Sequence, residues 1–155
     1  MKILYVISAL RDGGVEAFVT NLCENNKKNL DKNEIIAVIS LENKGKYGEQ
    51  IKNLGINVYD LNLEFNLGIF KTFYKFIKII KIERPDIIHS WMYHANLLTS
   101  LASIFVRKPV LWSIHNCYLP LKDYKFTTIL PYFFCIITSR IFPKKILFCS
   151  KQSMK

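Results

Sequence analysis

Residues 2–22 read KILYVISALRDGGVEAFVTNL. The apolar run KILYVI gives way through SALRDGG to a segment that sets Val15, Phe18, Val19 and Leu22 on one face at helical spacing. A strand that enters a helix through two glycines is the opening unit of a sheet built from crossover connections. The alternation then recurs. Runs rich in Ile and Val occur at 2–7, 34–41, 56–60, 86–90, 109–114 and 145–149, most of them continuously apolar, as parallel strands covered on both faces are. Helix-compatible segments occupy 14–26, 48–54, 66–83, 94–106 and 124–141, with Gly55 placed to cap the second and Pro131 to kink or start the last. This pattern predicts one α/β domain with a doubly wound, mostly parallel sheet, right-handed crossovers and strand order 3-2-1-4-5-6.

Composition agrees with a packed domain. The chain has 155 residues, of which 50% are hydrophobic and 14% aromatic, far from a disordered composition. Lys and Arg outnumber Asp and Glu by 22 to 12, a net charge of +10, which favours anionic partners: nucleic acid, an acidic membrane surface or phosphorylated substrates. Cys23, Cys117, Cys135 and Cys149 form no CxxC pair and sit among apolar neighbours, so they read as buried, reduced thiols of a cytosolic protein. The amino terminus has no small-residue cleavage site. The longest apolar run, ILPYFFCII at 129–137, is shorter than the roughly 20 residues a membrane span needs. The expectation is a cytoplasmic protein, soluble or peripheral.

In such a sheet ligands bind beyond the carboxyl ends of the strands, where the strand order reverses. After the first strand come Ser8, Arg11, Asp12, Gly13, Gly14 and Glu16. After the fourth come His89, Ser90, Trp91, Tyr93, His94 and Asn96, after the fifth His115 and Asn116, and after the sixth Ser150. All three histidines of the chain lie on this one edge, which points to a ligand crevice formed by residues 12–16, 89–96 and 115–116. Each residue also has a plainer role. The glycines can simply form a turn, Glu16 can answer the helix dipole, and His94, Asn96 or Ser150 can cap a helix.

Several chemistries are disfavoured. RDGGVEA lacks the third glycine of the dinucleotide fingerprint, and AVISLENK offers only Glu42, beyond the end of the second strand, for a ribose. The P-loop pattern, a metal-ligand cluster and a nucleophile–base motif are all missing, and no recognisable nucleic-acid module accompanies the basic charge. No metal or other cofactor is expected, and no nucleic-acid partner.

Four stretches, MKILYVISALRDGGVEAFVTNL, RPDIIHSWMYHANLLTSLAS, KPVLWSIHNC and KKILFCSKQSMK, together resemble the amino-terminal, acceptor-side domain of a family 4 glycosyltransferase of the GT-B fold. The resemblance spans essentially the whole chain. It implies a retaining enzyme in which two Rossmann-like domains close over a nucleotide sugar, a co-substrate, and pass its sugar to a cell-surface glycan or lipid-linked acceptor. It implies that Gly13 and Gly14 bring backbone N–H groups near the donor phosphates and acceptor, and that Glu16 orients this loop or touches the acceptor. His115 matches the family histidine beside the transferred sugar, the candidate catalytic residue. His94 and Asn96 match a pocket-lining motif; His89, Asn116 and Ser150 complete the candidate binding set. Trp91 stands where relatives often carry a small, polar or histidine residue. The chain ends at CSKQSMK, in what the family pattern makes the opening turn of the next helix, ahead of a donor-binding domain. The resemblance therefore implies an isolated chain that is not catalytically competent and a carboxy-terminal donor-domain polypeptide as a partner. The alternative is a non-catalytic remnant or partner subunit that binds an anionic surface or a second protein.

Segment 66–83, NLGIFKTFYKFIKIIKIE, spaces Lys71, Lys75, Lys78 and Lys81 along one helical face, with Phe70, Phe73, Tyr74, Ile77 and Ile80 filling the rest. Its plain reading is a sheet-covering helix with a solvated lysine stripe. Its functional reading is a peripheral contact with anionic lipid at the inner face of the cell membrane.

Overall fold

The structure is a computed structural model that describes residues 1–29, 33–63, 68–115 and 126–148. Six strands, β1 (Lys2–Ile7), β2 (Glu34–Ser40), β3 (Asn57–Asp60), β4 (Ile87–Trp91), β5 (Val110–Ile114) and β6 (Pro143–Phe148), alternate with five helices. These are α1 (Gly14–Lys28), α2 (Gly45–Asn53), α3 (Ile69–Glu83), α4 (Tyr93–Val106) and α5 (Phe126–Thr138). The strands form one sheet in the order β3-β2-β1-β4-β5-β6, and every adjacent pair is parallel. The expected doubly wound α/β architecture and strand order are both present.

The pleat sends alternate residues to opposite faces. Leu4, Val6, Ala37, Ile39, Ile88, Val110 and Trp112 pack under α3, α4 and α5, against Phe76, Ile79, Ile80, Ala95, Ala102 and Cys135. Tyr5, Ile7, Ile35, Val38 and Trp91 face the other way, onto Val19 and Cys23 of α1 and Ile51 of α2. Burial on both faces explains why the strands read as continuous apolar runs.

Element ends follow local chemistry, and several differ from the sequence expectation. α2 starts at Gly45 rather than 48, because Gly45 takes φ +55 and turns the chain into the helix. Gly55 follows the α2 cap at φ +78, as expected of a C-terminal glycine. β4 extends to Trp91, which pairs with Ile7 and Ser113. β6 starts at Pro143, its pairing partner being Val110. α3 is described from Ile69 and α5 from Phe126; 66–67, 124–125, and position 149 of the expected last strand lie outside the described residues. α5 continues through Pro131 rather than starting there, and stops at Thr138. In α1, Glu16 lies in the first turn and Lys27 and Lys28 in the last, each matching the helix dipole.

α3 and α4 close on arginines in the left-handed region, Arg84 at φ 49 and Arg107 at φ 52, with N–H groups bonded to Ile80 and Ser103 carbonyls. Pro85 and Pro109 follow shortly after and bar further helix. A non-glycine residue in this conformation costs about 1 kcal/mol. Arg107→Gly is therefore expected to raise the unfolding free energy by roughly 0.5–1 kcal/mol in urea titrations.

Candidate functional site

The β1–α1 loop is held by the connection beyond β2. The Leu41 N–H donates to Ile7 O at 2.9 Å, Glu42 N–H to Ser8 O at 3.1 Å, and Tyr47 N–H to Leu10 O at 3.2 Å. Leu10 is fully buried and anchors the loop as an apolar plug. Arg11 pairs with Glu42 at 2.7 Å and Lys46 approaches Asp12 at 3.8 Å; these exposed pairs add at most about 1 kcal/mol each. Gly45 lies so close that a Cβ there would collide with the Leu10 carbonyl, whose carbon lies 2.7 Å from that position. The glycine that fixes the loop against its neighbour is thus Gly45, a residue the sequence expectation passed over. Its signal was only a glycine after Lys44.

Gly13 and Gly14 carry a different constraint. Gly13 is the α1 N-cap in extended conformation, φ −173, which any residue adopts. The space a Cβ would take at Gly13 is occupied by the Glu16 carboxylate, which folds back over the helix start. Nothing lies within 4 Å of a Cβ position at Gly14. Packing within the chain therefore leaves Gly14 open to substitution.

His89 lies within β4, paired with Tyr5 and Leu111, rather than after that strand as the sequence suggested, because the ladder continues to Trp91. It shares the α1 side of the sheet with His115, which follows β5. His89 is buried and its Nε2 shares a hydrogen bond with Ser113 Oγ at 2.8 Å. Trp91 stacks on His89, ring centroids 4.4 Å apart and 26° between planes, and lies 5.2 Å from the His115 ring. Tyr5 packs edge-on to both His89 and Trp91, at 5.3 and 5.6 Å. Phe18 of α1 completes the group, 5.9 Å from both Trp91 and His115, and is 48% exposed. Trp91 thus fills the gap between the two histidines, and Phe18 bridges them to the helix that follows the glycines. Phe18, Ser113 and Tyr5 were absent from the sequence-level set. A parallel sheet exposes them to one another only through its register.

Burial sets the charge of this group. It pushes the His89 imidazole from its ordinary 6.5 down to about 4, helped by the neighbouring His115. Burial lowers His115 as well. Both rings are held toward the neutral form, which keeps one ring nitrogen as a hydrogen-bond acceptor.

Asn96 occupies the other face. It is fully buried, accepts the Ser90 hydroxyl at 2.7 Å through Oδ1, and its backbone carbonyl accepts the Ser100 hydroxyl at 2.7 Å. Ser100 Oγ in turn accepts the Trp112 indole N–H at 3.2 Å. Asn96 therefore ties α4 to β4 and β5, and it does not cap the helix. The N-cap is Met92, at φ 75 and ψ 159, a region otherwise almost confined to glycine. The strain sits between Trp91 and half-buried His94 in the first turn of α4. Two further candidates, Asn116 and Ser150, lie outside the described residues. Among the described residues no three His, Cys, Asp or Glu side chains form a group suited to a metal ion.

The family model for Glycosyltransferase Family 4 matches residues 12–151. The chain belongs to glycosyltransferase family 4. Its fold is that of GT-B glycosyltransferases. HepE of Anabaena, solved with UDP and glucose, superposes with a TM-score of 0.73 at 20% identity, covering 99% of this chain and 39% of HepE. MurG of Acinetobacter baumannii gives 0.63 at 14% identity, over 98% of this chain and 43% of MurG. A UDP-N-acetylglucosamine 2-epimerase candidate from Listeria monocytogenes gives 0.62 at 15%, over 98% and 40%. The family 4 chain thus spans about two fifths of the length of these structural neighbours. No protein of curated function matches it in sequence.

Two predictions follow from the packing. Gly45→Ala is expected to lower stability by about 1–3 kcal/mol, whereas Gly14→Ala should leave it unchanged or raise it by up to about 1 kcal/mol; paired thermal melts compare them. For His89, the folded group protonates only near pH 4 while the unfolded one does so near 6.5. Its contribution is complete above pH 6.5 and is lost as pH falls toward 4, by roughly 3 kcal/mol at the lower end. Urea midpoints measured across this window should show that slope, and His89→Gln should flatten most of it.

Proposed function

We propose that this domain is the acceptor-side half of a transferase. In this reading it moves a sugar from a nucleotide-sugar donor, with retention at the anomeric carbon, to a cell-surface glycan or lipid-linked acceptor in the cytoplasm. The observation that carries the reading is the convergence of His115, through Phe18, on the helix that begins at Gly13 and Gly14, at the reversal of strand order where ligands of such sheets bind. The family 4 match supports the reaction class, and HepE was solved with UDP-glucose.

The proposed roles rest on local chemistry. The first-turn N–H groups of α1 and the dipole behind them suit the donor's phosphates; in this reading the nucleotide sugar is a co-substrate and no metal is assigned a role. Glu16, folded over Gly13, orients this loop or meets an acceptor hydroxyl. His115, kept toward the neutral form by burial, accepts a hydrogen bond from the reacting hydroxyl or the transferred sugar and so positions it. His89 and Trp91 support His115 from within the sheet. His94, Asn96, Asn116 and Ser150 complete the proposed binding set, with Asn96 acting through the placement of α4.

Neighbours of this fold extend well beyond the length matched here, so the transfer is proposed to need a donor-binding domain as well, on the same polypeptide or on a partner. A second reading, a non-catalytic partner subunit, draws on Trp91, whose indole fills the gap between His89 and His115.

Purified residues 1–155 are expected to transfer or hydrolyse no sugar from a panel of nucleotide-sugar donors, and measurable turnover by that chain would refute the two-domain requirement. Once joined to a donor-binding domain that restores activity, His115→Ala should lower kcat by about a hundredfold or more. An unchanged rate would remove His115 from its assigned role, and no activity in any pairing would favour the non-catalytic subunit.

A further inference from the structure

The helical layer of α3, α4 and α5 presents an outer surface unlike that of a helix facing water. Phe105 on α4 is 61% exposed and Ile137 on α5 69%, and Ile104, Phe133, Ile136 and Ile141 are exposed beside them. α3 joins this surface through the Phe73–Phe105 ring contact at 5.9 Å and adds exposed Phe70 and Tyr74. Single exposed apolar residues are ordinary, but a group spanning three adjacent helices marks a docking surface.

The charges around it select the occupant. Lys71, Lys78 and Lys81 on α3, Arg107 after α4 and Arg140 after α5 are all exposed. Across the sequences of α3, α4 and α5 the single acidic residue is Glu83, and its carboxylate is engaged by Asn57 and Tyr59. A second copy of the chain would bring the same positive charge to the contact. An anionic bilayer supplies both complements at once, negative headgroups for the lysines and arginines and an acyl boundary for Ile and Phe. The three helices are successive crossovers of a parallel sheet, so they run in one direction. Their carboxyl ends, with Lys81, Arg107 and Arg140, share the edge opposite the glycine loop.

We propose that the outer face of α3, α4 and α5 is a membrane-docking surface that lies on anionic lipid. Ile104, Phe105, Ile137 and Ile141 enter the headgroup boundary, and the surrounding basic side chains meet lipid phosphates. The inference stands on exposure and charge and does not depend on the transferase reading. It leaves the glycine loop and the His89–Trp91–His115 group clear of the lipid.

The test is co-sedimentation of the 155-residue chain with vesicles of phosphatidylcholine alone or mixed equally with phosphatidylglycerol. Binding is expected to the mixed vesicles, weakened by high salt but not abolished, since salt screens the charges and not the apolar insertion. Ile104→Glu combined with Ile137→Glu should remove binding while circular dichroism and melting temperature stay unchanged, both positions being exposed. Lys71, Lys78, Lys81 and Arg140 changed together to Ser should weaken it by about six-hundredfold, on the order of fivefold for each charge. The pair Lys27→Ser and Lys28→Ser, on α1 across the sheet, should leave it nearly unchanged. The proposal is overturned if the wild-type chain ignores both vesicles, if the α1 pair weakens binding as much per charge as the α3–α5 set, or if the glutamate variant still binds. It is equally overturned if the wild type self-associates through this face, seen as a concentration-dependent dimer that the glutamate variant abolishes, without vesicle binding.

Discussion

The pairing of β1 with both β2 and β4 is the constraint on which the rest depends. A parallel strand can be reached only by a crossover, and right-handed crossovers that step along the sheet in opposite directions, β1 to β2 one way and β3 to β4 the other, must lie on opposite faces. α1 and α2 therefore cover the side beneath Tyr5 and Ile7, while α3, α4 and α5 cover the side beneath Leu4 and Val6. Where the two sets part, at the carboxyl ends of β1 and β4, no helix crosses among the described residues. The loop from Ser8 to Gly13 and the turn at Met92 border that opening.

The pleat then divides the polar residues around this opening into two groups with different work. Ser90 points to the helical layer of α4 and is consumed with Asn96 and Ser100 in holding that layer to the sheet. His89 and Trp91, one residue to either side, point to α1 and stack with His115 and Phe18. Their low dielectric surroundings disfavour imidazolium, so the same packing that positions the rings also sets their protonation. The strained Met92 lies at the hinge between the groups, its N–H donating to Ser113 O at 3.3 Å. Ser113 thereby serves both, through its carbonyl and through the hydroxyl that meets His89.

The two helical layers differ in what they offer outward. Over the sheet's α1 side, exposed charge of both signs surrounds the loop, as in the Arg11–Glu42 pair. The α3–α5 side combines uncovered Ile and Phe with charge of one sign. No helix among the described residues is long and apolar enough to cross a membrane, so any lipid contact of these helices is lateral. Chemistry at the carboxyl edge of the strands and attachment along the helical face can therefore occupy separate surfaces of one small domain.

By itself the sequence determined the element types and the parallel sheet, because burial on both faces requires continuous apolar strands; it narrowed the strand order to an expected one, which the structure decided. It placed His94 and His115 just beyond β4 and β5, since position after a strand is a property of the chain, but it read His89 as following a strand in which it lies. Boundaries shifted where a local conformation outweighed composition, as at Gly45 and through Pro131. Only the tertiary structure decided which edge residues meet. Register brought Ser113 to His89, and helix packing brought Phe18 to His115. The side of the pleat sent Asn96 into a structural network. Gly45 had to be glycine because of Leu10, thirty-five positions earlier in the numbering. Such contacts depend on distances between elements far apart in the chain, and no local pattern encodes those distances.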